Sequence, residues 1–123
     1  MKLMPQEVEV WYLIPALRRE VAKILISKYN LSQKKVAETI GVTESAISQY
    51  LNSKRGEELK FDKHELSKIS HYVDKIVNDR GNMNKYMFNL SQELRGCNSL
   101  CELHRKHDSC VSKNCDLCMT QSA

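Results

Sequence analysis

Gly41 narrows the possible folds of this chain more than any other residue, because it separates two short amphipathic periods that read as helices. Before it, Val36, Ala37 and Ile40 share one face of a helix that Ser32 can cap, while Gln33, Lys34 and Lys35 face outward. After it, Val42 forms an apolar plug and Thr43 caps a second helix. Ala46, Ile47 and either Tyr50 or Leu51 supply that helix with its buried side. Ala37 is small enough for the two helices to approach closely, and Gly41 permits the positive φ that such a turn commonly needs. The spacing predicts a helix-turn-helix hairpin over residues 32 to 52. A hairpin of this kind also serves as a plain packing unit in many all-helical domains.

Its flanks are helical too. From residue 5 to 29, Trp11, Leu13, Ile14, Leu17, Val21, Ile24 and Leu25 recur at spacings near three and four. Pro15 forbids one uninterrupted helix and fits the first turn of a second, leaving Pro5 to Ile14 as a shorter preceding segment. Asn30 offers a stop, and residues 52 to 56 read as a polar exit loop. Asp62 and Glu65 form a capping-box-like start for a further helix. From there Leu66, Ile69, Val73 and Ile76 begin an alternation that continues through Arg80, Met83, Met87, Leu90 and Leu94 to Cys97 and Cys101 in one heptad phase. Gly81, flanked by asparagines, interrupts it. Two helices of a bundle and a continuous dimerising stalk are both compatible with this pattern.

Composition limits the function. Among 123 residues, nineteen Lys and Arg face fifteen Asp and Glu, a formal charge of +4 that allows a polyanionic partner without identifying one. Residues 1 to 60 carry ten bases and seven acids, residues 61 to 123 nine and eight, so most of the excess lies in the front half. The apolar stretch Trp11 to Leu17 is too short for a signal peptide or a membrane span, and a cytoplasmic protein is expected. There thiols stay reduced, so five cysteines point to metal ligation or redox sensing before disulfides.

The run LSQKKVAETIGVTESAISQYLNSKR at 31 to 55 resembles the lambda-repressor and Cro class of helix-turn-helix regulators. With WYLIPALRRE at 11 to 20 ahead of it, the chain also resembles a group of small archaeal predicted transcriptional regulators with C-terminal cysteines. The first resemblance implies that Gln33 bonds a phosphate at a helix N-terminus. It places Thr43, Glu44, Ser45, Ser48 and Gln49 where base edges are reached, with Gln49 suited to adenine and Glu44 to cytosine or to the helix dipole. Lys34, Lys35, Lys54 and Arg55 would neutralise phosphates.

The C-terminal part carries Cys97-x3-Cys101-x8-Cys110-x4-Cys115-x2-Cys118, with His104 and His107 between. On one helix, Cys97 and Cys101 would be neighbours about 5–6 Å apart. After Leu103 the apolar period fades, and a metal would supply the ordering energy that the segment lacks. A 4Fe–4S cluster held by four of the five cysteines is the leading occupant, and zinc the alternative. His64 and His71 read as exposed helix histidines, Met83 and Met87 as core filling.

The expected architecture is all-α: a lambda-repressor-like helix-turn-helix bundle at 1–60, a helical dimerisation region at 61–96 and a cysteine-rich metal-binding tail at 97–123. The expected function is a homodimeric, non-enzymatic transcription regulator that binds a palindromic operator in double-stranded DNA under the control of the cluster. A DNA reader with a structural zinc is the second reading. A thiol-exchange protein using Cys115 and Cys118 is a third, disfavoured because no βαβ pattern surrounds that pair.

Overall fold

Pro15 decides how the first thirty residues are wound. In a regular α-helix its missing N–H would orphan the carbonyl of Trp11, and its ring would press on that group. In the computed structural model, which describes residues 4–52, 56, 58–95 and 97–107, the chain answers with a π-turn. Helix α1 (Pro5–Val8) runs into a π-turn at Glu9–Leu13 and then into α2 (Ile14–Tyr29). The Ile14 N–H donates to the Glu9 carbonyl five residues back, and Leu13 keeps right-handed helical dihedrals of −68° and −52°. Pro15 therefore takes its expected place in the first turn of α2, and the π-turn carries the winding across from α1 without a loop between them. The wider turn also rotates the apolar stripe. Val8 and Leu13 are buried, while Val10 and Trp11 point out at 58% and 51% exposure.

Asn30 ends α2 in the left-handed region at φ 55°, and the Leu31 N–H donates to the Leu25 carbonyl at 3.2 Å. This closes the helix as its sequence position suggests. Helices α3 (Gln33–Ile40) and α4 (Glu44–Leu51) follow and pack on each other and on α2. Beyond the exit loop come α5 (Lys63–Asn78), a 3₁₀ turn at Arg80–Asn82, α6 (Met83–Leu94) and α7 (Asn98–His107). No strand occurs among the described residues, and no helix there is long and apolar enough to cross a membrane.

The heptad phase through Gly81 does not make a stalk. Asp79 leaves helical geometry at φ −150°, and its carboxylate accepts from Asn82 Nδ2 at 2.8 Å and the Tyr86 hydroxyl at 2.9 Å. The chain reverses there, and α6 folds back on α5. Ile69, Val73, Ile76, Leu90 and Leu94 are all essentially inaccessible, so the stripe that reads as a two-chain seam is covered by the chain itself. A second break falls at Arg95, whose ψ of 119° is extended, so Cys101 belongs to another helix and Cys97 stands just before it.

One contiguous core joins all these elements. It includes Leu17, Val21, Ala22 and Leu25 of α2, Val36 and Ile47 of the hairpin, Ile69 and Val73 of α5, and Leu100 and Leu103 of α7. Polar ties fix its edges. Glu9 of the π-turn pairs with Arg95 at 3.0 Å with both side chains largely covered. The Tyr72 hydroxyl bonds Glu93 across the α5–α6 pair, which together with burial pushes the phenol up to about 12.

The end of α2 is tied to α5 by Asp74, which accepts from the Tyr29 hydroxyl and, at 3.0 Å, from Lys28 Nζ. These two bonds, Tyr29 first, hold the Asp74 carboxyl below its usual range. A depressed carboxylate stabilises the fold above its unfolded pKa and loses that contribution as pH falls through the folded value. Asp74→Asn is thus expected to lower the melting temperature at neutral pH. The gap to wild type should close as the pH drops below about 4, the range in which an unperturbed carboxylate titrates. Parallel pH–melting curves of the two proteins check this.

Candidate nucleic-acid interface

The α3–α4 pair is held by matched caps at its two N-termini. The Ser32 hydroxyl accepts from the Lys35 N–H at 3.1 Å, and the Thr43 hydroxyl accepts from the Ala46 N–H at 3.1 Å. Each cap satisfies a backbone donor that would otherwise lack a partner, a contribution of about 1 kcal/mol. Between the helices Gly41 stands at φ 84°, as the turn requires, and its N–H donates to the Ala37 carbonyl at 2.8 Å. Val36, Ala37, Ile40, Ala46, Ile47 and Tyr50 are buried, with Val42 and Leu51 half-buried against the core. Of the two options for the buried end of α4, Tyr50 is the one at 2% exposure.

The outer face is polar. Gln33, Lys34, Lys35, Thr43, Glu44 and Ser45 are exposed, while Ser48 and Gln49 are half-buried. The structure thus brings the N-terminal halves of α3 and α4 to one capped hairpin, with every expected reader of that stretch at least partly open to a ligand. Lys54 and Arg55 lie outside the described residues. Among the described residues of this face, Lys34 and Lys35 are offset by acids: Lys35 approaches Glu38 at 3.8 Å, and Glu44 occupies the first turn of α4, where its charge suits the helix dipole.

Two contributors escaped the sequence reading. Thr39 is buried at 7% and donates its hydroxyl to the Lys35 carbonyl at 2.8 Å, so it belongs to the hairpin's inner face. Asn52 donates from Nδ2 to Ser48 Oγ at 3.3 Å, orienting a hydroxyl on the outer side of α4. The i,i+4 spacing of Ser48 and Asn52 was the available signal.

Gly56 anchors the exit of the hairpin to α2. It has φ 73°, and a Cβ there would come within 2.5 Å of the Pro15 carbonyl oxygen. At Gly41 a Cβ would meet only Met83 Cε at 3.5 Å, ordinary contact, so that site demands glycine for its dihedral alone.

The candidate metal ligands are only partly brought together. Cys97 precedes α7, and its carbonyl accepts from the Cys101 N–H at 3.0 Å, so the two cysteines share the first turn. Neither is in a disulfide, and both are half-buried. Cys110, Cys115 and Cys118 lie outside the described residues. Among those described, no group of three or more His, Cys, Asp or Glu side chains could hold a metal ion. Burial pushes the Cys97 thiol up to about 12, and the neighbouring Glu65 carboxylate adds to the rise.

Glu65 itself is 4% exposed and serves two helices at once. Its carboxylate accepts from the Asp62 N–H at 2.8 Å as part of the α5 capping box, and from the Ser99 hydroxyl at 2.6 Å at the start of α7. Burial alone would raise its pKa; the hydrogen bonds, Ser99's foremost, outweigh it and hold the carboxyl below its ordinary value. His64 and His71 are exposed on α5, as expected. Met83 and Met87 are half-buried and line a surface groove, and Met87 also packs against the core as expected.

Residues 21–56 match the helix-turn-helix family model, from the middle of α2 to the end of the exit loop. No curated protein and no solved structure matches the chain. The match covers the hairpin and supports a DNA-binding transcription regulator of the XRE type. It reaches neither α5–α7 nor the cysteines.

The two glycines make different demands. Gly41→Ala is expected to cost about 1–2 kcal/mol, the left-handed penalty alone. Gly56→Ala should cost distinctly more, because the backbone of Pro15 cannot yield to the added methyl. Urea unfolding of both variants gives the order.

Proposed function

We propose that this protein is a sequence-specific DNA-binding transcriptional regulator that presents α4 to the major groove of double-stranded DNA. The observation that carries the reading is the capped α3–Gly41–α4 hairpin, with a buried inner face and exposed polar N-terminal halves, inside the matched segment. Gln33 and the free N–H groups at the start of α3 suit a phosphate, which fixes the protein's register on the duplex. Thr43, Glu44 and Ser45 stand at the start of α4, where base edges come within reach, and Gln49 can pair with the two major-groove groups of adenine. Lys34 and Lys35 neutralise backbone charge, joined in this reading by Lys54 and Arg55.

A homodimer on a palindromic operator completes the proposal, since such readers bind half-sites about 34–36 Å apart. The α5–α6 stripe is internal, so a dimer would have to meet through another face. No catalytic role is assigned, and a cytoplasmic setting fits the reduced cysteines.

For the C-terminal cysteines we keep a 4Fe–4S cluster as the proposed occupant, with zinc as the alternative. The support is donor chemistry: any four of Cys97, Cys101, Cys110, Cys115 and Cys118 are enough for either, and a bound centre would supply redox sensitivity in the first case and a structural staple in the second. Iron with acid-labile sulfide, against one zinc, in anaerobically prepared protein separates them.

The test of the DNA reading begins by selecting a duplex from random sequence with the full-length chain. On that duplex Gln49→Ala should weaken binding about 10- to 100-fold and relax the preference at one base pair. Lys34→Ala should weaken binding evenly across sequences and lower the salt dependence by about one ion. Failure of the wild type to enrich any duplex contradicts the reading.

A further inference from the structure

A groove of about 210 Å³ runs between α2, the end of α3 and α6. Its walls are apolar: Ile14 comes from α2, and Met83, Met87 and Phe88 from α6. Phe88 is 63% exposed, an aromatic ring left in water beside two flexible methionines. Methionine walls adapt to irregular ligands, and apolar concavities with a few polar groups are the usual form of small-molecule sites.

The polar groups are few and of one sign. Arg18 is the one charged side chain lining the groove among the described residues, with Asn84 and Ser91 as neutral neighbours. Arg18 is half-buried and makes no hydrogen bond or ion pair to another described residue. Guanidinium groups in such settings are ordinarily matched by a carboxylate or phosphate, to which they present two parallel donors. The volume and the apolar walls favour a small ligand whose body is hydrocarbon and whose single anionic end meets Arg18.

The groove also touches the DNA-reading hairpin. Ile40, the last residue of α3, lines it, and Met83 Cε lies against Gly41. A ligand seated there would press on the turn that aims α4.

From this placement we infer that the α2–α3–α6 groove is an effector site for a small apolar carboxylate, held by Arg18 through its carboxylate and by Met83, Met87 and Phe88 through its hydrocarbon body. Occupation changes the affinity of the α3–α4 hairpin for duplex DNA. The regulatory half rests on the DNA-reading assignment, whereas binding of the acid does not.

Octanoate is the probe, with neutral octanamide as its control. Full-length protein carrying ¹³C-methyl methionine is titrated with each and followed by NMR. Octanoate should shift the Met83 and Met87 methyl signals saturably, leaving Met4 unmoved, and octanamide should bind at least tenfold more weakly. Arg18→Met, which keeps an apolar stem and loses the charge, should lower octanoate affinity at least tenfold. Saturating octanoate should change wild-type affinity for the selected duplex severalfold, and duplex binding without octanoate tests the DNA reading separately.

Several results overturn the proposal. One is a shift spread over all the methionines or unaffected by Arg18→Met. Another is Met83 and Met87 signals that respond to protein concentration in place of octanoate, which would show a second copy covering the groove. A saturable shift with unchanged duplex affinity removes the effector role. Loss of duplex binding by Arg18→Met in the absence of octanoate would assign Arg18 to a DNA phosphate instead.

Discussion

The burial of one face of α2 is the constraint on which the rest of this structure depends. Leu17, Val21, Ala22 and Leu25 are all at or below 1% exposure, and α3, α4 and α5 each pack against this helix. Fully burying one leucine or valine is worth about 1.5–3 kcal/mol, so this stripe is a large share of what a small domain can gather. The hairpin alone could not supply it, since α3 and α4 each have only eight residues. Pro15 serves this arrangement indirectly. The π-turn that accommodates it keeps Leu13 and Leu17 facing inward and brings Glu9 to Arg95, so the start of the chain and the end of α6 are joined at the same corner.

Capping carries the next level of organisation. Ser32 and Thr43 place two helix N-termini on the outer side of the hairpin, and the same ends offer donors to an anion. Glu65 repeats the device in the interior, where one carboxylate meets the N-termini of α5 and α7. That contact fastens α7, with Cys101 in its first turns and Cys97 just ahead of it, to the start of α5. The thiol of Cys97 lies in the same pocket, held protonated by burial beside an anion.

Local rules were legible in the sequence to the degree that they are local. The caps at Ser32, Thr43 and Asp62, the left-handed stops at Asn30 and Gly41, and the inward set Val36, Ala37, Ile40, Ala46 and Ile47 all follow from spacing and side-chain chemistry. Periodicity shows which face of a helix is buried but not against what. The stripe from Ile69 to Leu94 therefore reads equally as a seam between two chains or as a core within one, and the reversal at Asp79 decides for the core. Pro15 announces an interruption without saying that a π-turn will absorb it. Helix α7 has only Leu100 and Leu103 to bury, too few for a clear period, and its link to Glu65 spans 34 positions of sequence. The groove beside Gly41 joins residues from three separate helices and leaves no pattern along the chain.

In the proposed function the capped α3–α4 hairpin is the surface that meets duplex DNA. Backbone amide NMR of the full-length chain, titrated with its selected duplex, tests this most directly. The largest shifts should fall at residues 32–35 and 43–49, with smaller ones on α2. Shifts confined to α5, α6 and α7, with the hairpin amides unmoved, would contradict the assignment.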